Sequence, residues 1–291
     1  MPPYLSATQI SQAKSCPLAY RLRYVDRLAT VEPESDTTAR DAGSLVHGVM
    51  ERLTPAVKPA PEATIHLADG LEVLGELTKE RYWGKKAVER AEGILNKVLP
   101  YHLPACDERL VEQKWFETFA AINAVGFYDR VDVGVGESKV TIVTDYKTGK
   151  HLPAGDSPQV ILYLAAAAMK YGRNVMFRGV QLPSRKKVEY QWSTSTLSEA
   201  ETLIRETMAI RQGPHPANLT YACKWCGYKL LCPSWRGRTL GMVIRGTDTL
   251  LSKSTEELQG VYLMARSQAE DAEAIAKVAE GELKSREGRC E

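Results

Sequence analysis

The sequence predicts an α/β protein with a central mixed β-sheet flanked by helices, its two ends joined by a four-cysteine cluster. Three observations carry that expectation. β-branched and aromatic residues alternate with polar ones over 114–135 and again over 139–146, the period of half-buried strands. An alanine-rich stretch of helical character, 157–171, separates these from two further strand-like runs at 174–182 and 187–192. Three cysteines stand close together as C-x2-C-x5-C near residue 230, with another far upstream at Cys16.

The elements follow in order. Over 6–30, Ile10, Ala13, Leu18, Leu22 and Val25 recur at roughly helical spacing, with a break or new start at Pro17. The run GSLVHGVMERL, Gly43 to Leu53, reads as a second helix. Prolines crowd 54–72, which reads as a loop, and a helix is expected over 73–99. The interruption GVGES then marks the turn of a β-hairpin between the runs 114–135 and 139–146. Helix 157–171 is entered at Pro158, and helix 195–212 opens on the capping residues of TSTLSEAE. The sheet is thus expected largely within 110–192. A capping box, Ser254 to Glu257, opens a long helix whose stripe is mostly alanine and so buries little surface. The expected organisation is one domain over 1–240 and a helical tail over 241–291.

Composition narrows the class. With 44% hydrophobic and 25% charged residues, the 291-residue chain is that of an ordinary globular protein with a substantial core. Its formal charge of +2 is almost neutral, so any surface for nucleic acid must be local. No run approaches the roughly 20 apolar residues of a membrane span, and MPPYLSATQI lacks the pattern of a signal peptide. A cytoplasmic location is the expectation. There, six cysteines are better read as metal ligands or buried thiols than as disulfides.

The hairpin carries the chemistry. Residues two apart on a strand share a face, so Asp145 and Lys147 of KVTIVTDYKTG point the same way. At a strand's end, a carboxylate can hold a divalent cation while the lysine orients water and offsets phosphate charge. A bare D-x-K is more often a surface salt bridge. The preceding strand, GFYDRVDV, weighs against that, because alternation places Asp129 with Phe127, Val131 and Val133 on an apolar face. A carboxylate aimed along such a face is costly unless paired or metal-bound. Asp132 falls with Tyr128 and Arg130 instead, to pair with Arg130 or meet solvent. His47 lies within the second helix, where a lone histidine is usually structural, although neutral imidazole is a good ligand for borderline divalent metals. Gln159 and Tyr163 are four apart and share a helix face.

Taken together, GSLVHGVME, GFYDRVD, DYKTGK and QVILY resemble the ordered motifs of the RecB-like nucleases of the PD-(D/E)xK superfamily. The resemblance spans roughly 4–235 and implies a restriction-endonuclease-like core. It implies that His47, Asp129 and Asp145 bind Mg2+ or Mn2+, that Lys147, Asp145 and Asp129 are catalytic, and that Gln159 and Tyr163 are associated with DNA. Asp132 departs from the pattern as a second acidic candidate beside Asp129, and the tail beyond 240 matches nothing in the family.

Cys16, Cys223, Cys226 and Cys232 can converge on one metal centre, Cys16 being followed by Pro17 as Cys232 is by Pro233. Spacing alone leaves zinc and iron–sulfur open. Their arrangement is similar to the iron–sulfur staple of AddB-type nuclease domains and of the CRISPR-associated RecB-like exonucleases, which implies a [4Fe–4S] cluster clamping the chain ends. Closing so long a loop removes unfolded-state entropy. Cys106 reads as a core thiol and Cys290 as a tail thiol. Arg21, Arg23, Tyr24 and Arg27 near Cys16, and Lys224, Trp225, Lys229, Trp235 and Arg236 near the others, offer cations and rings to nucleic acid. Two functions are therefore expected in competition. One is a metal-dependent exonuclease hydrolysing DNA at its ends, on single strands by resemblance, with replication, recombination or repair proteins as partners. The other is a non-catalytic DNA-end-binding or assembly module that keeps the fold and the staple.

Overall fold

The computed structural model describes residues 4–28, 37–220, 223 and 226–235. In chain order the helices are α1 (Ala7–Ser15), α2 (Pro17–Tyr20), α3 (Thr38–Leu53), α4 (Leu67–Glu80), α5 (Lys85–Val98), α6 (Pro158–Tyr171) and α7 (Thr196–Gln212). The strands are β1 (Ala63–Ile65), β2 (Tyr101–Leu103), β3 (Glu108–Phe119), β4 (Ile122–Val135), β5 (Val140–Lys147), β6 (Val175–Gln181) and β7 (Lys186–Gln191). The chain divides into two compact units, one of Met1–Lys14 with Asp36–Gly213, the other of Ser15–Ser35 with Pro214–Glu291.

The first unit is the expected α/β architecture. Its five-stranded sheet runs in the order β3-β4-β5-β6-β7, antiparallel except for the parallel pair β5/β6, which α6 connects. One face packs against α6 and α7 through Val131, Val143, Phe177, Leu162 and Ile204. The other packs against α3, α4 and α5 through Val46, Leu74, Leu95, Tyr146 and Val180. Between these layers β5 is buried along almost its whole length, its polar Thr141, Thr144 and Asp145 included. The alanines of α6 now have a reason. Residues Val160 to Ala168 are buried on every side, and small side chains let the helix approach the sheet.

Four expectations are corrected. The helical run after Pro17 ends at Val25, in a π-helical turn from Arg21, rather than reaching residue 30. The stretch 54–72 holds β1 and the start of α4 besides loop. The single helix over 73–99 is two, because the Trp83 indole N–H donates to the Leu77 carbonyl at 3.2 Å and turns the chain at the end of α4, where Arg81 lies over the Trp83 ring. The run 114–135 is likewise two strands, turned at Ala120 and Ala121, both with positive φ (49° and 62°). That geometry normally selects Asn and Gly, and an Ala-Ala pair gives no sign of it. The helix from Ser254 and the boundary at 240 lie outside the described residues.

Candidate active site

The C-terminal end of β5 brings the singled-out residues together. Tyr146 points into the α3–α5 side of the core, so its neighbours Asp145 and Lys147 face the other way. They line one pocket with His47 of α3, Asp129 of β4, Gln159 and Tyr163 of α6, and the start of α1. Asp145 is 4% exposed. Its Oδ1 accepts from Gln159 Nε2 at 2.7 Å. Its Oδ2 lies 2.8 Å from Lys147 Nζ, an ion pair by distance, yet no donor is aligned to it as a hydrogen bond. Asp129 Oδ2 accepts the Tyr146 backbone N–H at 2.5 Å and stands 3.7 Å from His47 Nδ1.

Strict alternation fails at Asp129. Tyr128 and Val131 both pack in the α6-side cluster, whereas Arg130 reaches Tyr146 on the opposite side. The expected apolar face of Phe127, Asp129, Val131 and Val133 therefore does not exist as such, and Phe127 is half exposed. Asp132 pairs with Arg130, as the sequence suggested, and also with Arg109, in full burial.

Burial sets the electrostatics. It pushes the Asp129 carboxyl up to about 7, helped by the Asp145 charge and opposed by the Tyr146 N–H and by Lys147. Burial also lowers the His47 imidazole, against the pull of Asp145, which favours the neutral, metal-ligating form. Among the described residues no three His, Cys, Asp or Glu side chains are yet drawn in to metal-binding distance of one point. The donor set fits a hard or borderline divalent cation nonetheless. Two carboxylates and a neutral imidazole line one pocket, and the buried Asp145 Oδ2 has no aligned hydrogen-bond donor, its close partner being the Lys147 ammonium.

Comparison with known proteins decides the family. The family model of the PD-(D/E)XK nuclease superfamily matches residues 4–233. The chain belongs to that superfamily. Its sheet and helices are the restriction-endonuclease-like fold of such nucleases, which generally use divalent metals. Among curated proteins, none matches this nuclease. Among solved structures it is similar to a protein from Eubacterium rectale that bears a provisional exonuclease name, at 12% identity and a TM-score of 0.47, covering 76% of this chain and 87% of that one. It is also similar to SSO0001, at 13% identity and a TM-score of 0.37, over 79% and 86% of the two chains. With both TM-scores under 0.5, the assignment rests on the family match.

One carboxylate neighbouring Asp129 and His47 escaped the sequence. Glu112, in β3, stands across from Asp129 between the pairs Val111↔Arg130 and Gln113↔Tyr128. It has a positive φ of 47°. Burial pushes its carboxyl up to about 7, aided by Asp129 and Glu51. The signal was available only through register. Once the turn at Ala120–Ala121 is known, counting back along the antiparallel pair sets position 112 against 129. Gln159 and Tyr163 stand behind Asp145: the Tyr163 hydroxyl bonds Gln159, which bonds Asp145, and Tyr163 is only 8% exposed.

The cysteines lie in the second unit. Cys16, Cys223, Cys226 and Cys232 line one small cavity together with Leu18, Leu22 and Tyr228. The two segments that supply them are tied by Leu18 N–H to the Pro216 carbonyl at 3.2 Å and Asn218 Nδ2 to the Ser15 carbonyl at 3.0 Å. Thr220 N–H donates to Cys223 Sγ at 3.3 Å, and the Tyr228 N–H bonds the Cys226 sulfur. Burial raises the Cys226 thiol, and Cys16, Cys223 and Cys232 raise it further, so four uncompensated thiolates would repel one another there. Two of the four sulfurs thus each receive a backbone N–H. Cys106 is separate, buried in the first unit beside Asp132 and Arg109. Cys290 lies outside the described residues.

Proposed function

We propose that this nuclease is a metal-dependent deoxyribonuclease acting at DNA ends, on single strands in preference to duplex. The observation that carries the reading is the end of β5, where a buried Asp145 oxygen without a hydrogen bond sits 2.8 Å from Lys147 Nζ in a pocket shared with Asp129 and His47. His47, Asp129 and Asp145 would hold Mg2+ or Mn2+, with Glu112 beside them. When bound, the ion supplies Lewis-acid polarisation of the phosphate and lowers the pKa of a water. Lys147 orients the attacking water and neutralises phosphate charge, Gln159 fixes the Asp145 rotamer, and the Tyr146 backbone holds Asp129. Beyond Lys147, Thr148–Lys150 line a groove with Arg90 and Lys97, and no acidic residue is in its lining, which suits a phosphate backbone. The test is incubation of the purified protein with end-labelled single- and double-stranded DNA in Mn2+, Mg2+ or EDTA. Cleavage from the ends, strongest on single strands and abolished by EDTA, is the expected result. Cleavage that persists in EDTA would overturn the metal assignment, and no cleavage with stable end binding would favour the non-catalytic module.

The second part of the proposal is that Cys16, Cys223, Cys226 and Cys232 bind one [4Fe–4S] cluster of structural role, with zinc as the alternative. Four thiols lining one cavity, two of them receiving backbone N–H bonds, support it. Anaerobically purified protein should be brown with broad visible absorbance. Cys223→Ala should lose the colour and unfold at lower temperature, whereas Cys106→Ser should stay brown. Colourless protein carrying one zinc per chain would replace iron by zinc, and colourless, metal-free protein would remove the centre altogether.

A further inference from the structure

Beside the pocket lies a strip of exposed rings that neither the fold nor the metal chemistry uses. Phe127 lines the pocket and is 50% exposed, two residues before Asp129 on the same strand, roughly 7 Å away. Across the sheet its register partner is Lys114, whose Nζ lies 5.9 Å from the ring centroid. Phe116, two residues along β3 from Lys114, is 48% exposed and meets Tyr4 edge-on at 5.2 Å, Tyr4 itself being 42% exposed. These side chains share one sheet face, since Phe116 pairs with Val125 and Lys114 with Phe127. A lone surface phenylalanine is unremarkable. Three rings and a lysine running outward from a nuclease pocket are a different matter, because exposed ring faces cost hydration without contributing to the core.

We propose that Phe127 is a base-stacking platform that makes the pocket selective for an unpaired strand. The proposal rests on the nuclease reading above and names the device behind its single-strand preference. The ring stacks on an unpaired base next to the scissile phosphate, Lys114 meets the adjoining phosphate, and Phe116 with Tyr4 continues the stack. Every base offers a π-face, so the contact is independent of sequence. A base in the interior of a duplex is stacked on both faces, and even the terminal pair of a blunt end is held to its partner strand and cannot turn onto the ring beside the scissile phosphate.

The test uses oligonucleotides carrying 2-aminopurine near the end, whose fluorescence falls on stacking. In EDTA, where the proposed chemistry is off, the wild-type protein should quench the probe in a single strand, Phe127→Leu should not, and Phe127→Trp should restore quenching. In Mn2+, Phe127→Leu should raise KM for single strands about tenfold, leave kcat and the melting temperature unchanged, and leave KM for blunt duplex unchanged. Unaltered quenching in Phe127→Leu, or equal weakening on single strand and duplex, would overturn the platform. The quenching readout needs no cleavage, so failure of the nuclease reading alone would show as normal quenching with no products.

Discussion

Asp145→Ala should reduce metal-dependent cleavage roughly a thousandfold or more while leaving the fold intact, because anchoring a catalytic cation contributes several kcal/mol and each 1.36 kcal/mol is tenfold. Asp145 is buried, but its partners tolerate its loss. Lys147 is about a third exposed and can turn to water, and Gln159 is neutral. Lys147→Ala should cut turnover severely with the metal still bound, since an ammonium orients water and phosphate but ligates nothing. Isothermal titration with Mn2+ separates the two: affinity collapses in Asp145→Ala and persists in Lys147→Ala. Full cleavage by Asp145→Ala would end the assignment. The pH profile follows from Asp129 and Glu112, both pushed up to about 7. Below that pH they carry protons that a cation must displace, so metal affinity and cleavage should rise through pH 7. Stability of the metal-free protein should move oppositely. Between about pH 4, where free carboxyls titrate, and pH 7, the folded state binds more protons than the unfolded one, so stability falls as pH rises. A cation reverses that loss.

How much of this was legible depended on how local each signal was. The pairing of Asp145 with Lys147 follows from alternation within one regular strand, and β5 is regular there. His47 and Gln159 sit on stretches whose helical character is visible, although α3 begins at Thr38, ahead of the expected Gly43, without a side-chain cap, whereas Ser157 caps α6 by accepting from the Val160 N–H. Glu112 and the true faces of β4 were not legible, because both depend on a turn made by two alanines and on a positive φ at residue 112. Those are consequences of tertiary packing, which holds residues where propensity would not put them. Trp83 is the same lesson for helices: a side chain capping the Leu77 carbonyl ends α4 where the sequence pattern runs on.

Asp132→Ala should leave the chemistry of the folded protein largely in place and strike stability instead, the reverse of Asp129→Ala three residues earlier. Asp132 is wholly buried between two buried guanidiniums, its Oδ1 accepting from Arg109 Nε at 2.7 Å and its Oδ2 from Arg130 Nε at 2.8 Å. Arg109 also donates to the Pro104 carbonyl, and Arg130 donates to the Tyr146 hydroxyl at 2.5 Å. The pair Arg109↔Asp132 joins β3 to β4, and Arg130↔Thr144 joins β4 to β5. The triad thus fixes the register that sets Asp129 beside Asp145, with no atom of its own lining the pocket. A buried ion cluster of this kind adds little net stability when intact, but removing its only carboxylate strands two buried cations and costs about 3–5 kcal/mol. For a unit of this size the melting temperature should fall on the order of 10 °C. Asp132→Asn, which keeps an acceptor, should fall between. Asp129→Ala should melt no lower than wild type in the metal-free state at pH 8, since it removes a carboxylate whose ionisation burial opposes, yet it should lose cleavage and Mn2+ binding. Thermal melts and Mn2+ titrations of the two alanine variants, taken side by side, decide the matter: a wild-type melting temperature in Asp132→Ala would show that the triad does not hold the strands in register.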